Sequence, residues 1–219
     1  MREHYHEQLD GIRDQLVTMT KLVADAMGRA THALLDADLA AAESVIASDT
    51  DIDVVADQVE AEALDLIALQ APVASELRTL VGALRMSATL ERMGDLAEHL
   101  AQFARNNYPS PAVPPELTAT IREMGDLAVR LVFEDGDIIA NLDVEHALRM
   151  ETEDDRMDEL QRELMARLLA DDWPHSVETA IEMAMAVRFY ERFADHSVSV
   201  ARRIVHQATG QRPERIEQA

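Results

Sequence analysis

Leu90-Glu91-Arg92-Met93-Gly94-Asp95-Leu96-Ala97-Glu98-His99-Leu100 decides the fold. On a wheel turning about 100° per residue, Leu90, Met93, Ala97, Leu100 and, one turn on, Ala104 share one stripe. Glu91, Asp95 and Glu98 lie roughly opposite. This is an amphipathic helix with carboxylates on its outer side. Near-identical wording returns 100 positions later as Tyr190-Glu191-Arg192-Phe193-Ala194-Asp195. A helix that occurs twice, in order, predicts a chain made of two like units.

The helical period extends in both directions. Leu9, Ile12, Leu16, Met19, Val23, Met27, Ala30 and Leu34 follow the 3–4 spacing of one long helix. Asp36 to Asp38 interrupts it, and Asp38 is a suitable N-cap for the next. That second helix carries Leu39, Ala42, Val45, Ile52, Val55, Val59, Ala63 and Leu66. Gln70-Ala71-Pro72 ends it, because proline supplies no amide to the ladder. Pro72 should open the third helix near its first turn, and that helix should run to about Asn106. Residues 106–115 then hold four of the chain's seven prolines, which marks a linker. A fourth helix starts near Glu116, with Leu117, Ile121, Met124, Ala128 and Leu131. A fifth holds Met157, Leu160, Leu164 and Leu168. Trp173-Pro174 breaks the chain as Pro72 did, 102 positions later, and a sixth helix runs from about His175 to Ala208. The polar tail from Gly210 to Ala219 should fray. The expected fold is therefore all-α: two tandem three-helix bundles of six long helices, residues 1–107 and 116–219, joined by a proline-rich linker at 108–115. Helices of about 30 residues span about 45 Å, so the shape should be elongated.

Composition narrows the function. The 219 residues contain 20 Lys+Arg against 42 Asp+Glu, a net charge of −22. Such a chain does not grip a nucleic-acid backbone and is repelled by anionic lipid. With no cysteine, disulfides, thiolate zinc sites and thiol catalysis are excluded. The first residues carry charges where a secretory signal needs an apolar run. No run of 18 uninterrupted apolar residues occurs. A cytoplasmic protein without direct membrane insertion is expected.

Each half carries two acidic pairs at i, i+4: Asp49/Asp53 and Glu91/Asp95 in the first, Glu151/Asp155 and Glu191/Asp195 in the second. Carboxylates one turn apart share a helix face and repel unless a cation lies between them. A hard cation with oxygen ligands suits that role. Arg92 and Arg192 follow each glutamate and either pair with a nearby acid or meet an anionic ligand or partner. Asp49-Thr50-Asp51-Ile52-Asp53 approaches a calcium loop, but Val54 stands where that loop needs glycine. A di-iron bundle needs Glu-x-x-His on two helices, and Glu3 to His6 is the single match. The eight histidines show no ligand spacing; His99 and His196 follow the acidic motifs and could be outer groups.

In these motifs the chain resembles the PhoU family of phosphate-uptake regulators. The resemblance rests on Asp49 to Asp53, on Ala71-Pro72-Val73-Ala74-Ser75-Glu76-Leu77-Arg78, and on Leu90 to Asp95. In the second half it rests on Glu151 to Asp155, Pro174 and Tyr190 to Asp195. It implies two repeated three-helix bundles whose four acidic pairs can hold clusters of iron or other metals. It implies a non-enzymatic regulator that restrains phosphate uptake and starvation signalling. That regulator would connect the ATPase of a phosphate ABC transporter to a membrane sensor histidine kinase. The protein would sit at the inner membrane face through those partners, with homodimers common. Arg78, Arg92 and Arg192 are candidates for the partner surface. The other readings are a metal-carboxylate hydrolase or oxidase, and a helical interaction module that binds no metal.

Overall fold

The computed structural model describes residues 2–211, with side chains from Tyr5 onward. Residues 212–219, where the frayed tail was expected, lie outside the described residues, as does the side chain of Glu3. Seven α-helices follow one another: α1 (Arg2–Asp36), α2 (Leu39–Gln70), α3 (Ser75–Asn107), α4 (Thr118–Asn141), α5 (Val144–Glu153), α6 (Asp155–Leu168) and α7 (Val177–Thr209), with a 3-10 turn at Pro115–Leu117 before α4. The described residues contain no strand. The expected fifth helix, on Met157 to Leu168, is α6; the separate α5 precedes it and joins it through Asp154, which keeps a right-handed helical backbone and whose amide donates to the Met150 carbonyl. Pro72 does not open α3. It is buried in the turn ahead of Ser75, between Ala71 and Ala74, both at positive φ.

The first turn of each half is built alike. The α1 helix closes with a left-handed residue, Ala37 at φ 54°, and the Asp38 amide donates back to the Ala33 carbonyl at 3.3 Å. The α4 helix closes the same way, with Leu142 at φ 52° and the Asp143 amide on Ile138 at 3.2 Å. Each aspartate then caps the next helix, its side chain accepting from Ala41 or His146. Glycine is the usual occupant of that left-handed position, since a Cβ there crowds the following carbonyl at a cost of about 1–2 kcal/mol. Ala37→Gly is therefore expected to raise stability by about 1 kcal/mol, or roughly 2–4 °C in melting temperature for a chain of this length. Thermal unfolding followed by circular dichroism checks this; a lower melting temperature would contradict it.

Within each half the helices pack as the hydrophobic stripes dictate, with α1, α2 and α3 together, and α4, α5–α6 and α7 together. The halves also pack on each other through α1 against α4 and α3 against α7. Both contacts are antiparallel. Thr31 faces Gly125, and Thr20 faces Gly136. On the other seam Phe103 stacks on Phe189 with ring centroids 5.8 Å apart, and Asn107 reaches Glu182. The buried apolar residues consequently form one continuous core rather than two. Two buried polar contacts cross it. The Thr31 hydroxyl donates to the Met27 carbonyl and lies 2.8 Å from the Tyr190 hydroxyl, so Tyr190 is the donor of that second bond. The Ser197 hydroxyl donates to Asp135, whose carboxyl is fully buried and held well above the usual carboxylate range. Even the proline segment contributes, because Ala112 and Val113 are buried.

Candidate functional site

The first carboxylate face forms where α2 and α3 run side by side. Ile52 is buried and turns Asp49 and Asp53 toward α3. Gly94 makes the approach close. A Cβ there would stand 2.9 Å from Ile52 Cδ1 and 3.2 Å from Asp49 Oδ1. The α3 backbone thus lies directly beneath the Asp49 carboxylate. Burial raises the Asp49 carboxyl to about 6, helped by the negative charges of Asp53, Glu98, Asp95 and Glu91. Glu91 is raised by burial and then by Asp53, Asp95 and Asp57, with Arg92 opposing. All four residues expected at this face are brought together, with Glu98 added.

The second face lies between α5–α6 and α7, in an open cleft of about 780 Å3. Its most perturbed carboxyl is Asp154, raised to about 7 by burial and then by Asp158, Asp195, Glu191 and Asp155. Asp158 is raised by burial, Asp195 and Asp155, against Arg162. Glu191 is raised by burial, then Asp195 and Asp158, while its ion pair with Arg188 opposes them. Asp155, Glu191 and Asp195 therefore meet as expected. Glu151 lines the same cleft, but its carboxylate accepts from the Arg202 guanidinium.

Asp154 and Asp158 were missed because the repeat was registered on its prolines. The capping aspartates give the true register. With Asp38 set on Asp143, Asp49 falls on Asp154 and Asp53 on Asp158. The buried Ile52 then falls on the buried Met157, and Val45 on Met150. The sequence carried the signal, since Asp154-Asp155-Arg156-Met157-Asp158 repeats the Asp-x-x-x-Asp of Asp49 to Asp53. The second unit is three residues shorter between this motif and its proline, and that difference shifted Glu151/Asp155 into the counterpart position.

The arginines lie along the α3–α7 seam. Arg92 and Arg192 both approach His196, whose imidazole is held below its usual range by burial first and then by Arg192 and Arg92, against Asp195. Arg78 stands beside Gly210, the residue that closes α7, where a guanidinium complements the negative end of the helix dipole. His99 leans on Phe189, with ring centroids 5.2 Å apart.

On each face repulsion between neighbouring carboxylates adds to burial in raising Asp49 and Asp154, and the carboxylate donors are oxygens of the kind that hard divalent ions take.

A duplicated three-helix unit with a carboxylate face on each copy defines a class of all-α tandem-repeat proteins. Residues 16–104 and 121–204 each match the PhoU domain. The chain is 45% identical over 213 residues to the phosphate-specific transport system accessory protein PhoU homolog 2 of Mycobacterium tuberculosis, covering 97% of this chain and 100% of that protein. It is 44% identical over 214 residues to PhoU homolog 1 of Mycobacterium leprae, covering 98% and 96%. The crystal structure of PhoU from Pseudomonas aeruginosa superposes with a TM-score of 0.85 at 26% identity, covering 94% of this chain and 100% of that one. The chain belongs to the PhoU family.

Proposed function

We propose that this protein is an accessory regulator of phosphate transport, not an enzyme. In this reading it restrains phosphate uptake and starvation signalling by bridging a phosphate transporter's ATPase and a sensor histidine kinase. The observation that carries the regulatory role is similarity over nearly the whole chain to curated accessory proteins of the phosphate-specific transport system. Among the described residues no helix is long and apolar enough to cross a membrane, so contact with the transport machinery runs through protein partners.

The surface supports a bridging role. Leu69, Val73 and Leu77 are exposed around the start of α3, and Leu169, Val177 and Ile181 are exposed around the start of α7. Two equivalent apolar tips suit docking by partner domains. Arg78 flanks the first tip, and Arg92 and Arg192 line the seam between the halves. Reversing both seam charges (Arg92→Glu with Arg192→Glu) should weaken binding to the ATPase or the kinase cytoplasmic domain about tenfold or more, with helix content unchanged. An unaltered dissociation constant for both partners would remove the arginines from the interface.

In the same reading the two carboxylate faces hold iron, manganese or another hard divalent cation, which neutralises them and fixes the spacing of α2 on α3 and of α6 on α7. Untagged protein purified without chelator should carry several metal equivalents by mass spectrometry. Alanine at Asp49, Asp53, Glu91 and Asp95 should remove one share of them while helicity is kept, and alanine at Asp154, Asp158, Glu191 and Asp195 should remove a second, separate share. Equal metal content in all three proteins would leave the faces as solvated surface.

A further inference from the structure

We propose that Glu134, His146 and Glu153 bind one divalent transition-metal cation, at a site between α4 and α5 separate from both carboxylate faces. One ligand atom from each of the three lies within 4.8 Å of the other two. Ligands about 2.0–2.2 Å from a shared cation stand about 3.0–3.6 Å apart, so ordinary rotamer adjustment closes the set.

The local fold brings the three together. The Asp143 side chain accepts from the His146 amide at 2.9 Å, which fixes His146 in the first turn of α5. Glu153 lies seven residues on, two turns along the same face. Glu134 comes from α4, which returns antiparallel across the Leu142 turn. No i, i+3 or i, i+4 motif links these positions, which is why the histidines showed no ligand spacing in the sequence.

The oxygen nearest the imidazole is poorly served by the protein. Glu134 Oε2 is buried and accepts no hydrogen bond. It stands 3.5 Å from His146 Nε2, too far for a hydrogen bond but a normal separation for two ligands of one ion. Arg130 addresses the other oxygen, at 3.8 Å, so the His146 imidazole is the group that faces Oε2. The two glutamates also crowd each other, with a carboxylate oxygen of one within 4.8 Å of an oxygen of the other. A cation relieves that repulsion.

The donor set selects the ion. One imidazole with two carboxylates suits zinc, manganese or ferrous iron, while calcium and magnesium favour all-oxygen shells. His196 lines the second cleft, but among the described residues an imidazole gathers with two carboxylates within 4.8 Å at Glu134, His146 and Glu153 and at neither face, so the sites should differ in selectivity. Glu153 is the neighbour of Asp154, so an ion here also anchors the end of α5 where the second face begins.

The test uses full-length protein stripped with chelator and dialysed, titrated with zinc by calorimetry and with cobalt by visible absorption, in excess magnesium. The expected result is one equivalent that resists magnesium and gives a cobalt spectrum. His146→Ala and, separately, Glu153→Gln should lose that equivalent or weaken it at least tenfold with helicity retained. The variant with alanine at Asp154, Asp158, Glu191 and Asp195 should keep it. The proposal is overturned if His146→Ala binds zinc with unchanged number and affinity. It is equally overturned if the magnesium-resistant equivalent disappears with the carboxylate face instead.

Discussion

Gly125→Ala is expected to lower the melting temperature by about 10 °C. The added Cβ would meet Thr31 Cγ2 at 2.5 Å, Oγ1 at 2.7 Å and Cβ at 3.0 Å. Thr31 has little room to yield. It is buried, its χ1 is restricted in a helix, and its hydroxyl is engaged by both the Met27 carbonyl and the Tyr190 hydroxyl. Overpacking of this kind costs about 1–3 kcal/mol. Parting Tyr190 from Thr31 would strand a buried hydroxyl for about 1–3 kcal/mol more. Alanine recovers up to about 1 kcal/mol in helix propensity. The balance is a loss of about 1–6 kcal/mol, and its middle, converted at about 3 °C per kcal/mol for a chain this long, is about 10 °C. Adding Thr31→Ala should return part of the loss, because it removes both atoms that clash hardest. Calorimetry on the two single variants and the double completes the cycle. A Gly125→Ala protein as stable as the parent would mean that α1 and α4 are not in the contact described.

The second large effect is on the pH profile. Asp49 and Asp154 have folded-state values of about 6 and about 7, against 3.8 for the free side chain. The folded protein therefore binds protons more tightly than the unfolded chain, and stability falls as pH rises through that interval. The stabilisation is complete below about pH 4 and gone above about pH 7, within the range where the rest of the fold survives acid. A tenfold difference in proton affinity corresponds to about 1.4 kcal/mol, but both groups are partly solvated, and screening reduces their sum to about 3 kcal/mol. Roughly half of that falls between pH 5 and pH 8, so chelator-treated protein should melt about 3–6 °C lower at pH 8 than at pH 5. The raised Asp135 works in the same direction, as does the general self-repulsion of a chain of charge −22. Manganese added at pH 8 should recover most of the loss, since a cation bound only to the folded state stabilises it by mass action. A flat profile, or one that rises with pH, would show that these carboxylates do not crowd one another.

Much of the architecture could be read from the chain because its signals are local. The stripes of Leu9 to Leu34 and Leu90 to Ala104, the cap at Asp38 and the prolines at 72 and 174 each act over a few turns. The packing of the halves could not be read in this way. The contacts of Thr31 with Gly125 and of Phe103 with Phe189 join residues far apart in sequence, and periodicity shows which side of a helix is apolar without naming what covers it. The site divides along the same line. The first face follows from two i, i+4 pairs on adjacent helices. The second was shifted by three residues, because Pro174 was a more conspicuous landmark than the caps at Asp38 and Asp143. His146 lay outside any motif, since its companions come from across a helix turn and two turns along the same helix.

The pseudo-twofold packing of α1 on α4 and of α3 on α7 makes the interior a subunit interface carried within one polypeptide. A half-length ancestor pairing with itself would have met through these same surfaces. In such a symmetric pair every substitution appears twice, so neither carboxylate face could change without the other. Covalent joining removed that constraint. Position 94 is glycine while its counterpart is Ala194, and Arg202 holds Glu151 at the second face. Two copies of one face are thereby free to differ, and in the proposed metal-binding role they would answer to different concentrations of the same ion, or to different ions.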